Sequence, residues 1–499
     1  MRCLVTGATG YIGGRLAPRL VAEGYAVRCL ARRAGRLRDV PWAPAVEVVE
    51  GDLSRPETLA GVFDGVDVAY YLVHSLGQAG FEAADRQAAT VFAAAARAAG
   101  VRRIVYLGGP EPAAGDGGAS AHLRSRSEVG RILLDSGVPT AVLRAAVIIG
   151  SGSASFEMLR YLTERLPVMV TPRWVANRIQ PIAVRDVLHY LVGCAHLPPE
   201  VNRGFDIAGP DVLTFGDMMQ RYARVAGLSP RLLLPVRPLT PALSSYWVGL
   251  VTPVPNALAR PLVASLVHES VAHEHDIAAY LPDPPGGPTG FDRSVELALA
   301  KIRDAQVETH WSSAAGPDAP AEPLPSDPDW SGGTAYTDVR ERAVAASPEA
   351  LWQVIEGVGG ENGWYSFPLA WSVRGWLDRL VGGVGLRRGR RHPHRLRVGE
   401  ALDFWRVEEI VPGELLRLRA EMRVPGRAWL EMRVHRDDAG QLRYRQRAVF
   451  LPRGLAGHAY WAAVAPFHAL VFGGMARNIA EGAERFAERA TEPAAPRPH

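Results

Sequence analysis

Lysine and cysteine are both scarce in this sequence. Only one of its 56 basic residues, Lys301, is a lysine, so the first 300 residues contain no lysine amine. The three cysteines, Cys3, Cys29 and Cys194, fall within predicted strands and a predicted helix and provide neither a disulfide framework nor a paired metal motif. We expect them to be small buried residues in a reducing compartment, which predicts a cytoplasmic protein.

The sequence also lacks a strong net charge and an uninterrupted membrane-spanning segment. A net charge of +4 over 499 residues gives, by itself, no strong case for nucleic acid binding. The first predicted strand begins at Arg2 with no apolar leader before it, so we expect no signal peptide. The stretch Pro238–Ala259 is uncharged over 22 residues, but its four prolines would break a lipid-exposed helix. We interpret it as an apolar wall of a substrate region, with peripheral membrane contact as the alternative.

Three glycines follow the apolar strand that opens the chain. In the order Gly7, Gly10 and Gly13, they permit a sharp turn, leave room for a pyrophosphate against bare backbone, and let the next helix pack closely. The N-terminus of that helix favours an anion through its unpaired N–H groups and its dipole. The candidate cofactor-binding residues of this turn are Thr6, Gly7, Thr9, Gly10, Tyr11, Ile12 and Gly13.

The motifs that follow identify a family for roughly residues 1–300. Three further strands are predicted, at Tyr25–Ala31, Val46–Glu50 and Val68–Val73. The motifs are Thr6-Gly7-x-x-Gly10-x-x-Gly13, Gly51-Asp52-Leu53 and Arg185-Asp186-Val187. This set resembles the extended, atypical branch of the short-chain dehydrogenase/reductase superfamily, including its NmrA-like members. The resemblance implies a doubly wound parallel Rossmann sheet of the α/β class with a small substrate lobe, a nicotinamide cofactor, and adenine contacts from Asp52 and Leu53.

Two arginines stand at the end of the predicted second strand. An acidic residue there would hydrogen-bond the ribose 2′-hydroxyl of NAD and repel a 2′-phosphate. Arg32 and Arg33 can instead hold a phosphate with two guanidinium groups. The pair therefore favours NADP(H), with NAD as the alternative. Such a pair can also be an ordinary solvated strand end in an arginine-rich protein.

The usual catalytic set of this superfamily is Ser, Tyr and Lys, with Tyr-x-x-x-Lys on one helix, and this chain does not supply it. Lys301 lies near the predicted linker, and Leu107-Gly108-Gly109-Pro110 stands where the serine is expected. His122 and Arg126 occupy the matching helix four residues apart, which places a titratable group and a cation on one face.

His122 is the candidate proton donor to a carbonyl, and Arg126 the candidate contact to ribose or phosphate. The alternative for His122 is a partly exposed helix residue without chemistry. His74, next to Ser75 at the end of the fourth predicted strand, is a further catalytic candidate, because the carboxyl ends of parallel strands form the site.

The chain is predicted to contain two domains. A segment rich in Ala, Pro, Asp, Ser and Gly, from Ser312 to Gly333, predicts a linker. Before it, residues 1–311 form the dinucleotide-binding domain with its substrate lobe. After it, residues 334–490 form a second domain, and residues 491–499 are an expected disordered tail.

The second domain has the predicted order strand, helix, antiparallel strands and long helix. Its strands alternate apolar and charged residues, as in 416–424. This order is similar to a helix-grip, START-like or polyketide-cyclase-like α+β domain, which implies a sheet wrapped around the last helix and a hydrophobic cavity. The candidate lining residues for a lipid-like or aromatic ligand, or alternatively an ordinary core, are Trp364, Tyr365, Phe367, Trp371, Trp376, Tyr460, Trp461, Phe467 and Phe472.

A basic segment, Arg387–Arg397, is a candidate for phosphate-bearing lipid or nucleic acid, although such loops are usually just solvated. Since nothing else supports nucleic acid binding, we expect none. No metal-ligand spacing stands out, because His392 and His394 flank a proline without partners nearby.

Together these patterns predict an NADP(H)-binding oxidoreductase that acts on a small hydrophobic carbonyl or alcohol. His74, His122 and Arg126 favour this enzyme. The missing Ser, Tyr and Lys favour the alternative, a non-enzymatic sensor of the NAD(P) redox state whose second domain binds a lipid or a partner.

Overall fold

A computed structural model describes residues 1–37, 40–75, 80–111, 120–236, 252, 254, 256–306, 334–359, 364, 395–422, 424–437 and 439–491. The chain divides into two compact units, Met1–Gly333 and Thr334–His499. The predicted linker, residues 312–333, lies outside the described residues, as does the tail apart from Thr491.

A parallel seven-stranded sheet forms the centre of the first unit. Its strands are β1 (Arg2–Thr6), β2 (Ala26–Ala31), β3 (Glu47–Glu50), β4 (Val68–Tyr71), β5 (Arg103–Gly108), β6 (Thr140–Arg144) and β11 (Arg203–Asp206). Their order is β11-β6-β5-β4-β1-β2-β3, with every neighbouring pair parallel. The order reverses between β1 and β4, and ligands bind at the carboxyl ends of strands at such a point. The predicted doubly wound parallel sheet is confirmed.

Helices cover this sheet. Among its described residues, the helices of the first unit are α1 (Gly13–Ala22), α2 (Phe81–Ala98), α3 (Ala121–Leu134), α4 (Ala154–Arg165), α5 (Val184–Gly193), α6 (Phe215–Val225), α7 (Asn256–Ser265) and α8 (Phe291–Gln306). Leu16 and Leu20 on the apolar face of α1 are fully buried, and so are Leu4 and Val5 on opposite faces of β1. Burial of both strand faces is what a parallel sheet between helices requires, and it explains the continuous apolar run at the start of the chain.

Short strand pairs and the later helices form a second apolar core in the first unit. The pairs are β7 (Ile148–Ile149) with β10 (Ile182–Ala183), β9 (Arg178–Ile179) with β12 (Leu213–Thr214), and β8 (Val168–Thr171) with β13 (Leu232–Pro235). Phe156 of α4, Phe215 of α6 and Val295 of α8 are buried together in this core. A small substrate lobe is predicted within residues 1–311, and this core is separate from the core beneath the parallel sheet.

The second unit contains a six-stranded antiparallel sheet. Its strands are β14 (Tyr336–Ala343), β15 (Ala401–Leu402), β16 (Trp405–Val411), β17 (Leu415–Ala420), β18 (Gly426–Arg436) and β19 (Leu442–Pro452). They lie in the order β14-β19-β18-β17-β16-β15. The helices in the described part of this unit are α9 (Pro348–Glu356) and α10 (Gly454–Thr491). A separate α+β domain is thus confirmed, while its helix-grip, START-like identity stays a prediction.

The fold of the second unit follows local signals. Ser347 caps α9 by accepting a hydrogen bond from the Ala350 N–H at 3.2 Å, with Pro348 in the first turn. Alternate strand residues such as Leu418 and Leu430 are fully buried, and they share a core with Ile479 of α10. The sheet therefore buries one face against its long helix.

Within the described residues, no single helix has the length and hydropathy to cross a bilayer. Two segments of α10, Gly454–His468 and Val471–Glu488, meet at 44° and reach that threshold only when taken together.

Candidate active site

A cavity of about 360 Å³ lies at the carboxyl ends of β1 and β4. The glycine turn after β1 forms one side, residues 72–74 after β4 another, and the first turns of α3 a third. Gly7 joins the first two sides: its φ is +72°, and a Cβ there would lie 2.5 Å from the carbonyl oxygen of Leu72. Only glycine fits this contact, which holds the turn against the strand end that carries His74.

The glycine turn offers backbone donors to an anion. The N–H groups of Ile12 and Gly13, at the start of α1, have no acceptor among the described residues. A Cβ on Gly13 would lie 2.3 Å from the Gly7 carbonyl oxygen, so close packing requires this glycine. A Cβ on Gly10 would meet only that same oxygen, at 3.2 Å. Gly10 therefore keeps cavity space open, and the cradle fits the pyrophosphate of a dinucleotide.

An arginine that the sequence reasoning missed stiffens the turn. Arg15 of α1 is buried, lies 4.1 Å over the ring of Tyr11, and donates a hydrogen bond to the Tyr11 carbonyl oxygen at 3.0 Å. Tyr11 and Ile12 line the cavity. Arg15 thus fixes the backbone of the segment that would hold a phosphate.

Two other predicted turn residues lie away from the cavity wall. Thr6 is buried; its hydroxyl donates to the Tyr70 carbonyl oxygen at 2.9 Å and accepts from the Leu72 N–H at 3.2 Å. It therefore ties β1 to β4. Thr9 is half-buried in the turn.

Two histidines and an aspartate form a hydrogen-bonded row beside the cavity. His74 Nδ1 lies 2.7 Å from Asp85 Oδ2, and His74 Nε2 lies 3.1 Å from His122 Nδ1. Asp85, on α2, also accepts from the Ser75 N–H at 2.8 Å and from the Ser125 hydroxyl at 3.2 Å. The structure thus brings together the two predicted histidines from separate elements, and both line the cavity.

The surroundings of the row set its charges. Burial, the charge of Arg126 and the proximity of His74 lower the pKa of His122 to about 2. Burial also lowers the pKa of His74, although Asp85 opposes this shift. Burial raises the pKa of Asp85, but the His74 and Ser75 hydrogen bonds outweigh it and hold that pKa below its ordinary value. His122 is therefore neutral at physiological pH, and Asp85 is ionised.

Arg126 lies on the same side of the cavity as His122. Its guanidinium donates to the carbonyl oxygen of Leu107 and lies 5.6 Å over the ring of Tyr106. The Tyr106 hydroxyl returns a hydrogen bond to the Arg126 carbonyl oxygen at 3.2 Å. The cation is therefore held at the end of β5 and at the cavity wall, and its contact to ribose or phosphate stays a prediction.

The residues predicted to recognise adenosine lie outside the cavity lining. Arg32 and Arg33 are exposed immediately after β2. Asp52 accepts hydrogen bonds from the Ser54 N–H at 2.9 Å and from its hydroxyl at 2.8 Å. Burial raises the pKa of Asp52, but these bonds and the charge of Arg32 hold it below its ordinary value. Leu53 is 6% exposed and belongs to the core, so adenine contacts from this pair stay a prediction.

The fourth side of the cavity is apolar. Met158 of α4, Phe215 of α6, and Leu262 and Leu266 in and after α7 line it. The predicted wall, Pro238–Ala259, lies largely outside the described residues, and none of its described residues lines the cavity. The apolar wall that the structure describes therefore comes from α4, from α6 and from residues just after the predicted segment.

The cysteines offer no reactive group. All three are free and buried. Burial raises the pKa of each thiol to about 12, so none is a nucleophile at neutral pH. Among the residues that the structure describes, no group of three His, Cys, Asp or Glu side chains could hold a metal ion.

In the second unit, part of the predicted aromatic set surrounds a small cavity. Tyr460, Trp461 and Phe472 help to line a space of about 40 Å³. Trp364 is buried and donates its indole N–H to Asp403 at 2.7 Å. Phe467 is 70% exposed. Outside the described residues lie Tyr365, Phe367, Trp371, Trp376 and residues 387–394 of the basic segment.

Asp85 is a second residue of the candidate site that sequence reasoning missed. It lies on the buried face of α2 with Ala88, Ala89 and Phe92. The available signal was a carboxylate on a helix face that is otherwise apolar. Such a group is costly to bury without partners. The identity of the partner depended on how α2 packs beside the end of β4, which local pattern does not give.

Two protein families and several known proteins are similar to parts of this chain. Residues 7–146 match a family described as NAD(P)H-binding, and residues 330–475 match a protein family of unknown function, DUF2867. A ceramide reductase of Caulobacter vibrioides is 30% identical over 53% of this chain and 83% of its own length. A (4-alkanoyl-5-oxo-2,5-dihydrofuran-3-yl)methyl phosphate reductase of Streptomyces griseus is 32% identical over 45% of this chain and 73% of its own length.

Among solved structures, the triphenylmethane reductase of a Citrobacter species is 20% identical with a TM-score of 0.49, covering 60% of this chain and 100% of that chain. From the family match and the two reductases matched over most of their lengths, the chain belongs to the NAD(P)H-binding, Rossmann-like family of short-chain dehydrogenases, reductases and epimerases.

Proposed function

We propose that the first unit is an NADP(H)-dependent oxidoreductase that interconverts a hydrophobic carbonyl and its alcohol. The observation that carries the proposal is the 360 Å³ cavity, in which an anion-binding glycine turn faces a histidine with a hydrogen-bonded partner behind it. A nicotinamide dinucleotide laid along the turn and a substrate beside His122 would share this space.

The substrate class is inferred from the wall and from the relatives. Met158, Phe215, Leu262 and Leu266 offer carbon surface, which stabilises an apolar group at roughly 25 cal/mol per Å² buried. The two curated relatives are named as reductases, one of ceramide and one of an alkanoyl-bearing furanyl phosphate. A carbonyl on or near an acyl chain suits both observations.

The chain's own residues have distinct roles in this proposal. When bound, the nicotinamide supplies or accepts the hydride. His122 donates a proton to the substrate oxygen in reduction and accepts that proton in oxidation. Arg126 faces the ribose or a phosphate, the N–H groups of Ile12 and Gly13 bind the pyrophosphate, and the apolar wall excludes water.

Turnover of a carbonyl panel tests the proposal. Aldehydes, ketones and quinones with alkyl chains of increasing length are incubated with the protein and with NADPH deuterated on one face of C4. We expect stereospecific deuterium transfer to the substrate, and we expect kcat/KM to rise with the length of the alkyl chain. Absence of transfer across the panel would move the assignment to the sensor hypothesis, which the lack of Ser, Tyr and Lys in the usual positions favours.

We expect tighter binding of NADPH than of NADH. If Arg32 and Arg33 grip the 2′-phosphate, the preference is about tenfold or more, which corresponds to about 1.4 kcal/mol. Replacing both by alanine should remove the preference while leaving NADH binding unchanged. Isothermal titration of both cofactors measures it.

The matched control removes the same charge elsewhere. Arg19 and Arg131 lie in the last turns of α1 and α3 and are exposed. These helix ends lie at the opposite edge of the sheet, so their double alanine variant should keep the NADPH preference. Equal affinities for the two cofactors in the unmodified protein would show that Arg32 and Arg33 do not recognise the 2′-phosphate.

A further inference from the structure

The hydrogen-bonded row beside the cavity restricts where its protons lie. Asp85 receives donors from the Ser75 N–H, the Ser125 hydroxyl and His74 Nδ1, and its side chain is only 4% exposed. An ionised carboxylate has only acceptor sites. His74 therefore carries a proton on Nδ1, facing Asp85.

The second contact then holds a single proton between two rings. His74 Nε2 and His122 Nδ1 are 3.1 Å apart, and one of the two nitrogens must donate to the other. If both rings are neutral, His122 donates from Nδ1, and its Nε2 is an acceptor. If His74 is a cation, it donates from Nε2, and His122 carries its own proton on Nε2. His122 Nε2 has no partner among the described residues, and the ring lines the cavity.

We propose that Asp85, His74 and His122 form a proton relay in which His74 supplies and withdraws the proton behind His122, while His122 exchanges a proton with the substrate oxygen. This inference rests on the proposed carbonyl and alcohol chemistry. His122 is the catalytic residue, and His74 and Asp85 are positioning residues that act through it.

The relay balances in both directions. In reduction, the oxygen of the former C=O bond takes the proton from His122 Nε2 as the carbon receives hydride, and His122 Nδ1 takes the proton from His74 Nε2. The row thus changes from a cationic His74 beside a neutral His122 to two neutral rings, while Asp85 stays ionised. Oxidation reverses every transfer: His122 Nε2 takes the alcohol proton, and His74 becomes the cation beside Asp85.

The groups facing the row set the pH at which it changes state. Asp85 on α2 raises the pKa of His74, whereas burial and Arg126 on α3 lower it below the ordinary 6.5. The phenols of Tyr71 and Tyr106, whose pKa values burial raises, stay neutral. Reduction needs the cationic row, so its rate should fall as pH rises through a midpoint below 6.5. Oxidation needs the neutral row and should rise through the same midpoint.

Imidazole nitrogen NMR of the cofactor-free protein tests the relay without turnover. At neutral pH, we expect both His74 and His122 to carry their proton on Nδ1, with signals assigned by His74→Gln and His122→Gln. Acidification should convert both rings in one shared step. In Asp85→Asn, the new amide can donate to His74 Nδ1, so both rings should switch to the Nε2–H form.

Kinetics supply the second readout. We expect Asp85→Asn to lower kcat by roughly a hundredfold or more, with KM and NADPH affinity within a few-fold. Its reduction midpoint should move to lower pH, because the charge that raises the pKa of His74 is gone. His74→Gln removes the ring between Asp85 and His122, and we expect it to lower kcat as well. Circular dichroism and thermal unfolding confirm the fold of each variant.

The control is Asp67→Asn at the opposite edge of the sheet. Asp67 accepts from the Arg2 N–H at 2.8 Å and pairs with Arg102 at 2.9 Å. Removal of its charge should leave kcat, the pH midpoint and both histidine tautomers unchanged.

The outcomes separate the two proposals. Nε2–H tautomers in the unmodified protein, or an active Asp85→Asn variant with an unchanged pH profile, would overturn the relay. If no carbonyl turns over, the proposed function fails, and the shared protonation step still supports the relay. Independent titration of the two rings would overturn the relay even in an active enzyme.

Discussion

Gly10→Val is expected to abolish binding of NADPH and NADH while leaving the fold intact. A Cβ at this position meets only the Gly7 carbonyl oxygen, at 3.2 Å, so the protein tolerates a side chain with a shift of a few tenths of an ångström. The rest of the valine side chain would occupy cavity space needed by the pyrophosphate. We expect a loss of roughly a hundredfold or more in affinity, about 2.7 kcal/mol or more, measured by titration calorimetry.

Two further glycine variants show whether the loss is specific. Gly473→Val introduces the same side chain in α10, where a Cβ meets nothing within 4 Å, and should leave cofactor binding unchanged. Gly13→Val should instead destabilise the fold, because its Cβ would lie 2.3 Å from the Gly7 carbonyl oxygen. Retained cofactor binding in Gly10→Val would mean that the glycines serve only the turn.

His122→Phe is expected to lower turnover by roughly a hundredfold or more, while NADPH affinity stays within a few-fold. Phenylalanine keeps a planar ring in the cavity wall but has no nitrogen to exchange a proton with the substrate. General acid–base catalysis contributes about 10²–10⁴-fold, so its loss should appear in kcat. Steady-state kinetics with the best substrate of the panel, together with NADPH titration, measures both quantities.

His189→Phe is the matched control for this variant. His189 is a half-buried histidine on α5 whose Nε2 lies 2.9 Å from the Pro282 carbonyl oxygen, and it does not line the cavity. Its replacement should leave turnover within a few-fold. Undiminished turnover in His122→Phe would transfer the proton-donor role to His74 or to a bound water.

Local sequence determined the elements that carry the cofactor cradle. The apolar run of β1 and the spacing of Gly7, Gly10 and Gly13 specify a strand, a tight turn and a helix start, because each requirement involves residues close in the chain. The predicted strands match β2, β3 and β4 to within one or two residues. The two histidines were predicted from the family resemblance, one at a strand end and one on the helix that matches the usual Tyr-x-x-x-Lys motif.

The tertiary structure alone decided how those residues are arranged and what surrounds them. His74 follows β4, Asp85 lies within α2, and His122 lies in the first turn of α3. Only the parallel pairing of β4 with β5 brings these elements to one edge of the sheet. Burial there lowers the pKa of His122 to about 2, whereas an exposed helix residue would titrate near 6.5. Sequence pattern reports local geometry and amphipathicity, but a hydrogen bond across 48 residues, and the desolvation that shifts a pKa, depend on packing.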